Sequence, residues 1–359
     1  EQVSQRYREV SGAAMVVPNL PLPERAIYDG AIARAIEGYR RLTELLTPDM
    51  ATRYGQVFPS RVKAAGPEAE RRVAADVQKR AQEVARYVLP LATPAHLYHT
   101  VNGLTLLRYA VLAAQPDAPA EVRFIVRQML EQVLEVDPYF LGAPGYPLDL
   151  RPLAGDDTLE AQALAAWRAN LAQSEAETEA FCRDFDARLG AWDNSRLVGF
   201  APEAERTMAD AVRTVLGLTD ATMSDAEAIA QVLDGARNPA LGHPLYVGMQ
   251  SKLMQTMNHV PFTFQKRISG AEDAQNQRHR GTLSSSPILS AHMRRQPDVI
   301  TPWAIRHNAE ARAEYDATVR ALWDAKNALL DRGVAPEFAL YLLPNAHRVR
   351  FYESGSLLA

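Results

Sequence analysis

The sequence predicts a helix-rich chain with a minor strand component, organised as two copies of one domain. Three observations support this. Apolar residues recur at three- and four-residue spacing through much of the chain, as they do in amphipathic helices. In contrast, Pro261–Ile268 alternates aromatic and β-branched residues with polar ones, as a strand does. A short motif that ends in Leu-Pro occurs twice, at Ala85–Pro90 and Ala339–Pro344.

The predicted helices are separated by recognisable loop signals. In chain order they cover residues 26–46, 68–88, 101–114, 121–134, 158–189, 201–216, 271–277 and 305–332. Pro202 lies near the first turn of one helix, and Gly333 follows the last, where glycine commonly ends a helix. The Pro- and Gly-rich segments 138–152 and 239–244 are predicted loops, as is the small-residue segment 281–287.

The repeated motif indicates duplication of a whole domain. Tyr98 and Tyr352 follow the two motif prolines at equal distance, and a long predicted helix precedes the motif both times. A period this long does not fit a solenoid of short repeats. We place the repeats at 1–190, without the N-terminal part of the domain, and at 191–359, without its C-terminal part.

The composition excludes several classes of function. The 359 residues are 47% hydrophobic and 23% charged, with a net charge of −4, which does not favour a nucleic-acid partner. No apolar run approaches the ~20 residues of a membrane span, and no basic, apolar leader opens the chain. Cys182 is the single cysteine and cannot form an internal disulfide, which suits a reducing cytoplasm. It lies among acidic residues, which disfavour a reactive thiolate. His96 and His99 lack a third ligand nearby, so no metal site is predicted.

The triplet Arg278-His279-Arg280 is the most distinctive local feature. Two permanently charged guanidiniums flank an imidazole, Gln275 lies just before them, and a small-residue loop follows. Arginine binds phosphate oxygens in a bidentate manner, so the segment could hold a nucleotide diphosphate. A solvated basic loop is the alternative.

Three further candidates are weaker when taken alone. His259 precedes the predicted strand and could be a ligand contact or a structural residue. Ser4 and Arg6 together suit a phosphate monoester, although an ordinary polar segment explains them as well. Arg86 lies in an apolar stretch at a helix end, where it could bind an anion or stabilise the helix C-terminus.

These residues occur in an order that resembles the flavin-dependent thymidylate synthases. The second repeat carries two of the family's motifs: His259-Val260-Pro261-Phe262-Thr263-Phe264 and Gln275-Asn276-Gln277-Arg278-His279-Arg280. The first repeat carries the later ones: Gln2-Val3-Ser4-Gln5-Arg6-Tyr7, with Gln2 at the position of an acid, then the Leu-Pro motif with Arg86, and Asn102 on the following helix. The specific part of the resemblance is the Arg-His-Arg triplet with its flanks.

The resemblance implies an α+β fold, in which each repeat has an antiparallel sheet covered by helices and helices predominate overall. It implies reductive methylation of dUMP to dTMP with FAD as cofactor and with NADPH and methylenetetrahydrofolate as co-substrates. By this resemblance FAD is bound by His259, Arg278, His279, Arg280 and Asn102. The substrate dUMP is bound by Gln2, Ser4, Arg6, Arg86 and Gln275, and catalysis involves Arg278 and Gln275. No nucleic-acid or membrane partner is implied, and the enzyme is cytoplasmic.

The two repeats keep different halves of the family's site, which lies between subunits of a tetramer. The second repeat keeps Gln275 and the Arg-His-Arg triplet but has Leu340 in place of the motif arginine. The first repeat keeps Arg86 but has Ala113 in place of a substrate-binding arginine. We therefore predict a composite site with one half from each repeat, in a homodimer of fused chains that mimics the tetramer. The alternative is an altered or inactive paralogue that binds flavin or nucleotide as a scaffold, or acts on another pyrimidine nucleotide.

Overall fold

The computed structural model describes residues 10, 15–63, 66–150, 158–159, 161–162, 165, 171–191, 194–279, 281–288 and 293–359. The chain forms two compact units. The helical unit comprises Glu1–Phe181 with Ile288–His347, and the sheet unit comprises Cys182–Pro287 with Arg348–Ala359. Helices predominate and the strands form two antiparallel sheets, which confirms the predicted α+β fold class.

The described elements have the following bounds. The helices are α1 (Leu22–Val57), α2 (Pro59–Val62), α3 (Pro67–Ala85), α4 (Gly103–Ala113), α5 (Ala120–Val136), α6 (Leu171–Leu189), α7 (Ala204–Leu216), α8 (Asp225–Leu233), α9 (Lys252–Gln255), α10 (Gly270–Asn276), α11 (Trp303–Arg306), α12 (Ala309–Asp331) and α13 (Pro336–Leu340). The strands are β1 (Gly142–Ala143), β2 (Tyr146–Pro147), β3 (Ser195–Phe200), β4 (Pro261–Ser269), β5 (Leu283–Ser285) and β6 (Arg348–Ser356).

Two helices differ from their predicted extents for identifiable reasons. The predicted helix 26–46 continues as α1 through Pro48, although proline cannot donate a backbone hydrogen bond there. In the added turns Tyr54 is buried and donates a hydrogen bond to Asp76 of α3 (2.9 Å), which anchors the extension. The predicted helix 305–332 is divided into α11 and α12, because the side chain of Asn308 accepts a hydrogen bond from Ala311 N and caps α12.

Antiparallel packing of α1 against α12 forms the centre of the helical unit. Asn308 Nδ2 donates to Leu45 O near one end of the pair (3.3 Å), and Arg332 lies 3.5 Å from Glu24 near the other. Large side chains are fully enclosed in this core: Tyr28, Tyr39, Leu42, Leu46, Tyr315, Leu322 and Leu329. Each contributes about 1.5–3 kcal/mol of burial free energy, so the helix pair carries much of the unit's stability.

The two Leu-Pro motifs lie against each other around a local two-fold axis. Pro90 and Pro344 form an antiparallel bridge. Four backbone hydrogen bonds occur as two equivalent pairs: Leu91 N to Leu343 O with Asn345 N to Leu89 O, and Ala92 N to Tyr341 O with Ala346 N to Tyr87 O. Within each pair, the two hydrogen bonds join equivalent positions of the two motifs, with the donor and acceptor motifs interchanged.

The same relation extends to the long helices. The hydroxyl of Tyr28 donates to Val16 O (2.7 Å), and the hydroxyl of Tyr315 donates to Ile300 O (2.9 Å). The ion pair between Arg25 and Asp29 on α1 has its counterpart on α12 between Arg312 and Asp316. The helical unit therefore contains the same local arrangement twice, once in the N-terminal part of the chain and once in its C-terminal part.

We expect Gly38→Ala to destabilise the helical unit by about 1–3 kcal/mol, even though alanine is the better helix former. A Cβ at Gly38 would lie 2.3 Å from Thr318 Oγ1 and 3.0 Å from Thr318 Cβ, so rotation of the threonine cannot relieve the overlap. Gly30, on the same helix, has no atom within 4 Å of its Cβ position. Gly30→Ala should therefore stabilise the unit by about 0.5–1 kcal/mol. Thermal unfolding measures both changes, and equal effects would contradict close packing at Gly38.

The sheet unit is built on a four-stranded antiparallel sheet in the order β3-β4-β6-β5. Strands β4 and β6 pair along their full length, from Pro261 opposite Ser356 to Ser269 opposite Arg348. A second apolar core packs α7 and α8 against the segment before β4, and it contains Met208, Val212, Val232, Met254 and Met257.

One sequence prediction is corrected in this unit, and two of its strands were not predicted. The predicted loop 281–287 contains β5, because its backbone pairs with Tyr352, Glu353 and Ser354 of β6 and this pairing outweighs the weak strand propensity of serine. Strands β3 and β6 are elements that the sequence analysis does not predict.

Within the described part of the chain, no helix is long and apolar enough to cross a membrane. No group of three or more His, Cys, Asp or Glu side chains among the described residues is arranged to hold a metal ion.

Candidate functional site

A cavity of about 380 Å³ lies in the sheet unit and is lined in part by His279. Its volume falls within the ~300–1,000 Å³ that is typical of small-molecule sites. Phe262, Phe264 and Lys266 reach it from β4, because alternate residues of a strand point to the same face. The remaining lining residues are Ser195, Asn276, His279, Thr282, Glu353, Gly355, Ser356 and Ala359.

Glu353 organises the polar side of this cavity. Its carboxylate accepts hydrogen bonds from Lys266 Nζ, from Asn276 Nδ2 (2.5 Å) and from Thr282 Oγ1 (3.1 Å). Burial alone would raise the pKa of Glu353, but the hydrogen bonds from Lys266 and Asn276 outweigh burial and hold the pKa below its ordinary value. The carboxylate therefore stays charged at neutral pH and ties α10 and the following turn to the sheet.

The end of α10 places the imidazole of His279 in the cavity. Backbone hydrogen bonds from Arg278 N to Gln275 O (3.2 Å) and from His279 N to Asn276 O (2.9 Å) continue the chain in a tight turn. The hydroxyl of Thr282 donates to His279 O (2.9 Å) and closes this turn. Both Arg278 and His279 are exposed, and their side chains have no hydrogen-bond or ion-pair partner within the described residues. Two groups that can bind anions are thus presented together.

The other predicted residues of the sheet unit lie nearby in sequence but do not line the cavity. Gln275 is half-buried, and its Nε2 donates to Ala271 O within the same helix (3.2 Å). His259 ends the 3₁₀ turn Thr256–His259 and is exposed. Of the predicted set, the structure therefore places His279 in the cavity, with Arg278 next to it in the chain.

The opposite face of β4 carries a separate charged cluster. Gln265 Nε2 donates to Phe185 O (3.0 Å), and Asp186 receives hydrogen bonds from Arg350 Nε and Nη2, both at 2.9 Å. Arg267 Nη1 lies 3.1 Å from the same carboxylate. These contacts hold α6 on the sheet behind the cavity.

A second cavity, of about 490 Å³, adjoins the first and shares Ser356 and Ala359 with it. Its walls are largely apolar, with Met249, Met254 and Leu358 among the lining residues. Sequence reasoning missed this cavity because its walls come from irregular segments without a periodic pattern.

Two predicted residues belong to the helical unit. Arg86 is half-buried in the 3₁₀ turn Arg86–Val88, and its carbonyl accepts a hydrogen bond from Asn345 Nδ2 (3.2 Å). Asn102 caps α4 by accepting a hydrogen bond from Thr105 N (2.9 Å), and it lines a separate cavity of about 630 Å³. Gln2, Ser4, Arg6 and Arg280 lie outside the described residues.

Lys266, Asn276 and Glu353 line the cavity and were not predicted. Lys266 could have been found, because it follows Phe262 and Phe264 at strand spacing and so lies on the same face. Glu353 could not, since β6 was not recognised and its pairing partners are distant in sequence.

Comparison with known proteins gives a family and partial structural likenesses. A family model described as thymidylate synthase complementing protein matches residues 1–139 and 196–359. The UMP/dUMP methylase PolB from Streptomyces cacaoi, solved with 5-Br dUMP, is 14% identical over 46% of this chain and 73% of that one, with a TM-score of 0.33. Thymidylate Synthase X (ThyX) from Helicobacter pylori, solved with FAD and dUMP, is 16% identical over 46% of this chain and 78% of that one, with a TM-score of 0.31. No curated protein matches the chain in sequence.

Proposed function

The chain belongs to the family of thymidylate synthase complementing proteins, and on that premise we propose that it is a FAD-dependent thymidylate synthase. The reaction is the reductive methylation of dUMP to dTMP, with methylenetetrahydrofolate as carbon donor and NADPH as reductant, in the cytoplasm. The observation that carries the proposal is the cavity of the sheet unit, because aromatic walls and available anion-binding groups meet there.

The residues of this cavity fit a flavin. Phe262 and Phe264 are half-buried and offer aromatic surface against which a planar ring can pack. His279 and the neighbouring Arg278 can donate hydrogen bonds to phosphate oxygens. A volume of about 380 Å³ is large enough for the ring system of the cofactor.

The protein's part in the reaction is to bind, orient and polarise. When bound, FAD supplies the hydride that reduces the transferred carbon to a methyl group. Arg278, His279, Arg280 and His259 would bind the cofactor, with Asn102 assigned to it by the family resemblance. Ser4, Arg6 and Arg86 would bind the phosphate of dUMP, with Gln2 beside them, while Gln275 would face the nucleotide.

The local two-fold axis supports the proposal that the chain is a fused pair of family domains. The Leu-Pro motifs exchange equivalent backbone hydrogen bonds around Pro90 and Pro344, as two subunits related by a two-fold axis would. Under this proposal one composite site is formed from a half of each repeat, so the second set of half-sites is free to diverge. The functional assembly is a homodimer of fused chains.

An altered or noncatalytic relative is the second candidate, and Ala113 favours it. This alanine, the last residue of α4, stands where the resemblance implies a substrate-binding arginine. A protein of this kind would bind flavin or a pyrimidine nucleotide without turning over dUMP.

Arg278→Ala should lower the flavin content of the purified protein. Loss of one charge-assisted phosphate contact, at about 1.5–3 kcal/mol, corresponds to roughly tenfold to hundredfold weaker binding. Arg206→Ala is the matched control, because this exposed arginine on α7 makes only a long contact with Asp210 (4.0 Å). Flavin absorbance per mole of protein measures both variants, and full FAD retention by Arg278→Ala would remove the assignment.

A second measurement separates the enzyme from the scaffold. The flavin-loaded protein is reduced with NADPH without oxygen and then mixed with dUMP and methylenetetrahydrofolate. Reoxidation of the flavin together with formation of dTMP supports the synthase, whereas bound flavin without dUMP-dependent reoxidation supports the scaffold.

A further inference from the structure

The carboxylate of Glu353 bridges the two flanks of the Arg-His-Arg triplet. Its Oε1 accepts hydrogen bonds from Asn276 Nδ2 (2.5 Å), which precedes the triplet, and from Thr282 Oγ1 (3.1 Å), which follows it. Asn276 is the last residue of α10, and Thr282 directly precedes β5. Glu353 itself is only 5% exposed and belongs to the paired strand β6. One oxygen that is fixed on the sheet therefore restrains both ends of this short segment.

The turn that carries Arg278 and His279 depends on such restraints to bind an anion well. Both side chains are exposed, so the position of each guanidinium or imidazole follows that of the backbone. A ligand that has to order a loose turn on binding loses affinity for that ordering. The hydroxyl of Thr282 lies 2.9 Å from His279 O as well as near Glu353, so the restraint reaches the backbone of the triplet.

Lys266 offsets the charge of this carboxylate. Its Nζ, on the adjacent strand β4, pairs with Oε2 of Glu353, while Oε1 contacts the flanks of the triplet. An ionised acceptor forms stronger hydrogen bonds than a neutral one, but an unpaired carboxylate beside an anion site would repel the ligand. The pair thus supplies a strong acceptor without a net negative charge.

The carboxylate occurs only in the repeat that carries the triplet. Glu353 directly follows Tyr352, and at the equivalent position of the first repeat His99 directly follows Tyr98. The ring of His99 contacts the hydroxyl of Tyr109 at 3.0 Å. The same position of the domain therefore has different contacts in the two repeats.

We propose that Glu353 is a positioning residue, which holds the turn of Arg278 and His279 in the conformation that binds the phosphates of FAD. Lys266 neutralises its charge so that the anionic ligand is accepted. The inference rests on the proposed function, because it takes the ligand of the cavity to be a flavin. Glu353 acts through the side chains on both flanks of the triplet and need not touch the cofactor.

Two substitutions of Glu353 test the position of the acceptor. Glu353→Leu removes it and should raise the dissociation constant of FAD by about tenfold or more, measured on the full chain by equilibrium dialysis. Glu353→Gln keeps an oxygen for both donors and should stay within about threefold of wild type. Thr282→Val removes one donor at a half-buried position with little change of shape, so it tests the same contact with less risk to folding. Glu205→Leu, at an exposed position of α7, is the control and should leave FAD affinity unchanged.

A second pair of variants tests the charge. Lys266→Met leaves the carboxylate unpaired and should weaken FAD binding by about tenfold or more. The double variant Lys266→Met/Glu353→Gln lacks both charges but keeps the acceptor, so it should recover affinity to within about threefold of wild type. If the double variant binds FAD as weakly as Lys266→Met does, the lysine contacts the cofactor itself and its proposed role is wrong.

Riboflavin distinguishes positioning from a merely structural role, because it has the same ring system without a phosphate. Wild type, Glu353→Leu and Lys266→Met should bind it with similar dissociation constants. Equal losses of FAD and riboflavin affinity would overturn the inference and leave the proposed function intact, as would full FAD affinity in a folded Glu353→Leu variant. A wild-type chain that binds neither flavin would overturn both.

Discussion

Asp186→Ala should destabilise the sheet unit by about 3–5 kcal/mol, which is the usual cost of removing one partner from a buried ion pair. Arg350 is only 4% exposed and directs two nitrogens at the two oxygens of Asp186. Arg267 contacts the same carboxylate and lies directly opposite Arg350 in the pairing of β4 with β6. Like charges at directly opposed positions repel each other, so Asp186 is what makes this register favourable.

The charge state of Asp186 makes this effect constant near neutral pH. Burial would raise the pKa of Asp186, but the hydrogen bond and charge of Arg350, together with Arg267, lower it below its ordinary value. A carboxyl group with a depressed folded-state pKa stabilises the fold at every pH above its unfolded pKa, which is about 3.9. The difference between wild type and variant should therefore be unchanged from pH 5 to 8 and should shrink only in stronger acid.

Asp184→Ala is the matched control for this prediction. Asp184 lies on the same helix and forms an ion pair with Arg188 in which both side chains are more than half exposed. Removal of an exposed pair changes stability by about 0–1 kcal/mol. Hydrogen exchange of peptides that cover β4 and β6 reports on the sheet unit separately from the helical unit. Equal protection in the two variants would show that Asp186 does not balance the two arginines.

This cluster illustrates where sequence reasoning stops. The helical pattern of 158–189 predicts the helix that carries Asp186, and Pro261–Ile268 predicts the strand that carries Arg267. Arg350 lies on β6, which was not predicted, although Val349 and Phe351 alternate with charged residues as strand residues do. Without β6 neither the register nor the ion pair can be inferred, because both depend on contacts between residues far apart in the chain.

The candidate site likewise contains residues that local sequence motifs predict and residues that only the strand pairing brings together. Local motifs were sufficient to single out His279 and Arg278, because their spacing is short and chemically distinctive. The Lys266–Glu353 pair lines the same cavity, but it depends on the pairing of β4 with β6. The repeat was visible because Leu-Pro is a local signal, while the two-fold contact between its copies required the fold.

Lys326→Met should stabilise the helical unit by about 1–4 kcal/mol at pH 7, the range seen when buried charged groups are replaced by apolar ones. Lys326 is 1% exposed, and its Nζ donates to Arg294 O at 2.8 Å. The same carbonyl also accepts a hydrogen bond from Trp323 Nε1 at 2.8 Å, so the substitution leaves it paired. Methionine has a similar shape and can fill the space of the lysine stem.

The pH dependence follows from the pKa of Lys326, which burial and the nearby charge of Arg295 lower to about 7, against the opposing influence of Glu175 and Asp331. In the unfolded chain the pKa is about 10.4. Between these values the unfolded state holds a proton that the folded state does not, so the wild-type free energy of unfolding rises with pH. The penalty of burying Lys326 is therefore complete below about pH 7 and disappears as the pH approaches 10.

The advantage of Lys326→Met should accordingly shrink by about 1.4 kcal/mol for each pH unit between about 7 and 10. Denaturant unfolding followed by the fluorescence of the neighbouring Trp323 measures this slope, since Trp323 packs in the same core. Lys79→Met, at an exposed position of α3, is the control and should show no difference in slope. The contrary result is a variant that is less stable than wild type at pH 7, with a difference in free energy of unfolding that stays constant up to pH 10. The buried amine would then be charged and hydrogen-bonded in the folded chain. Its contact with Arg294 O would then stabilise the fold.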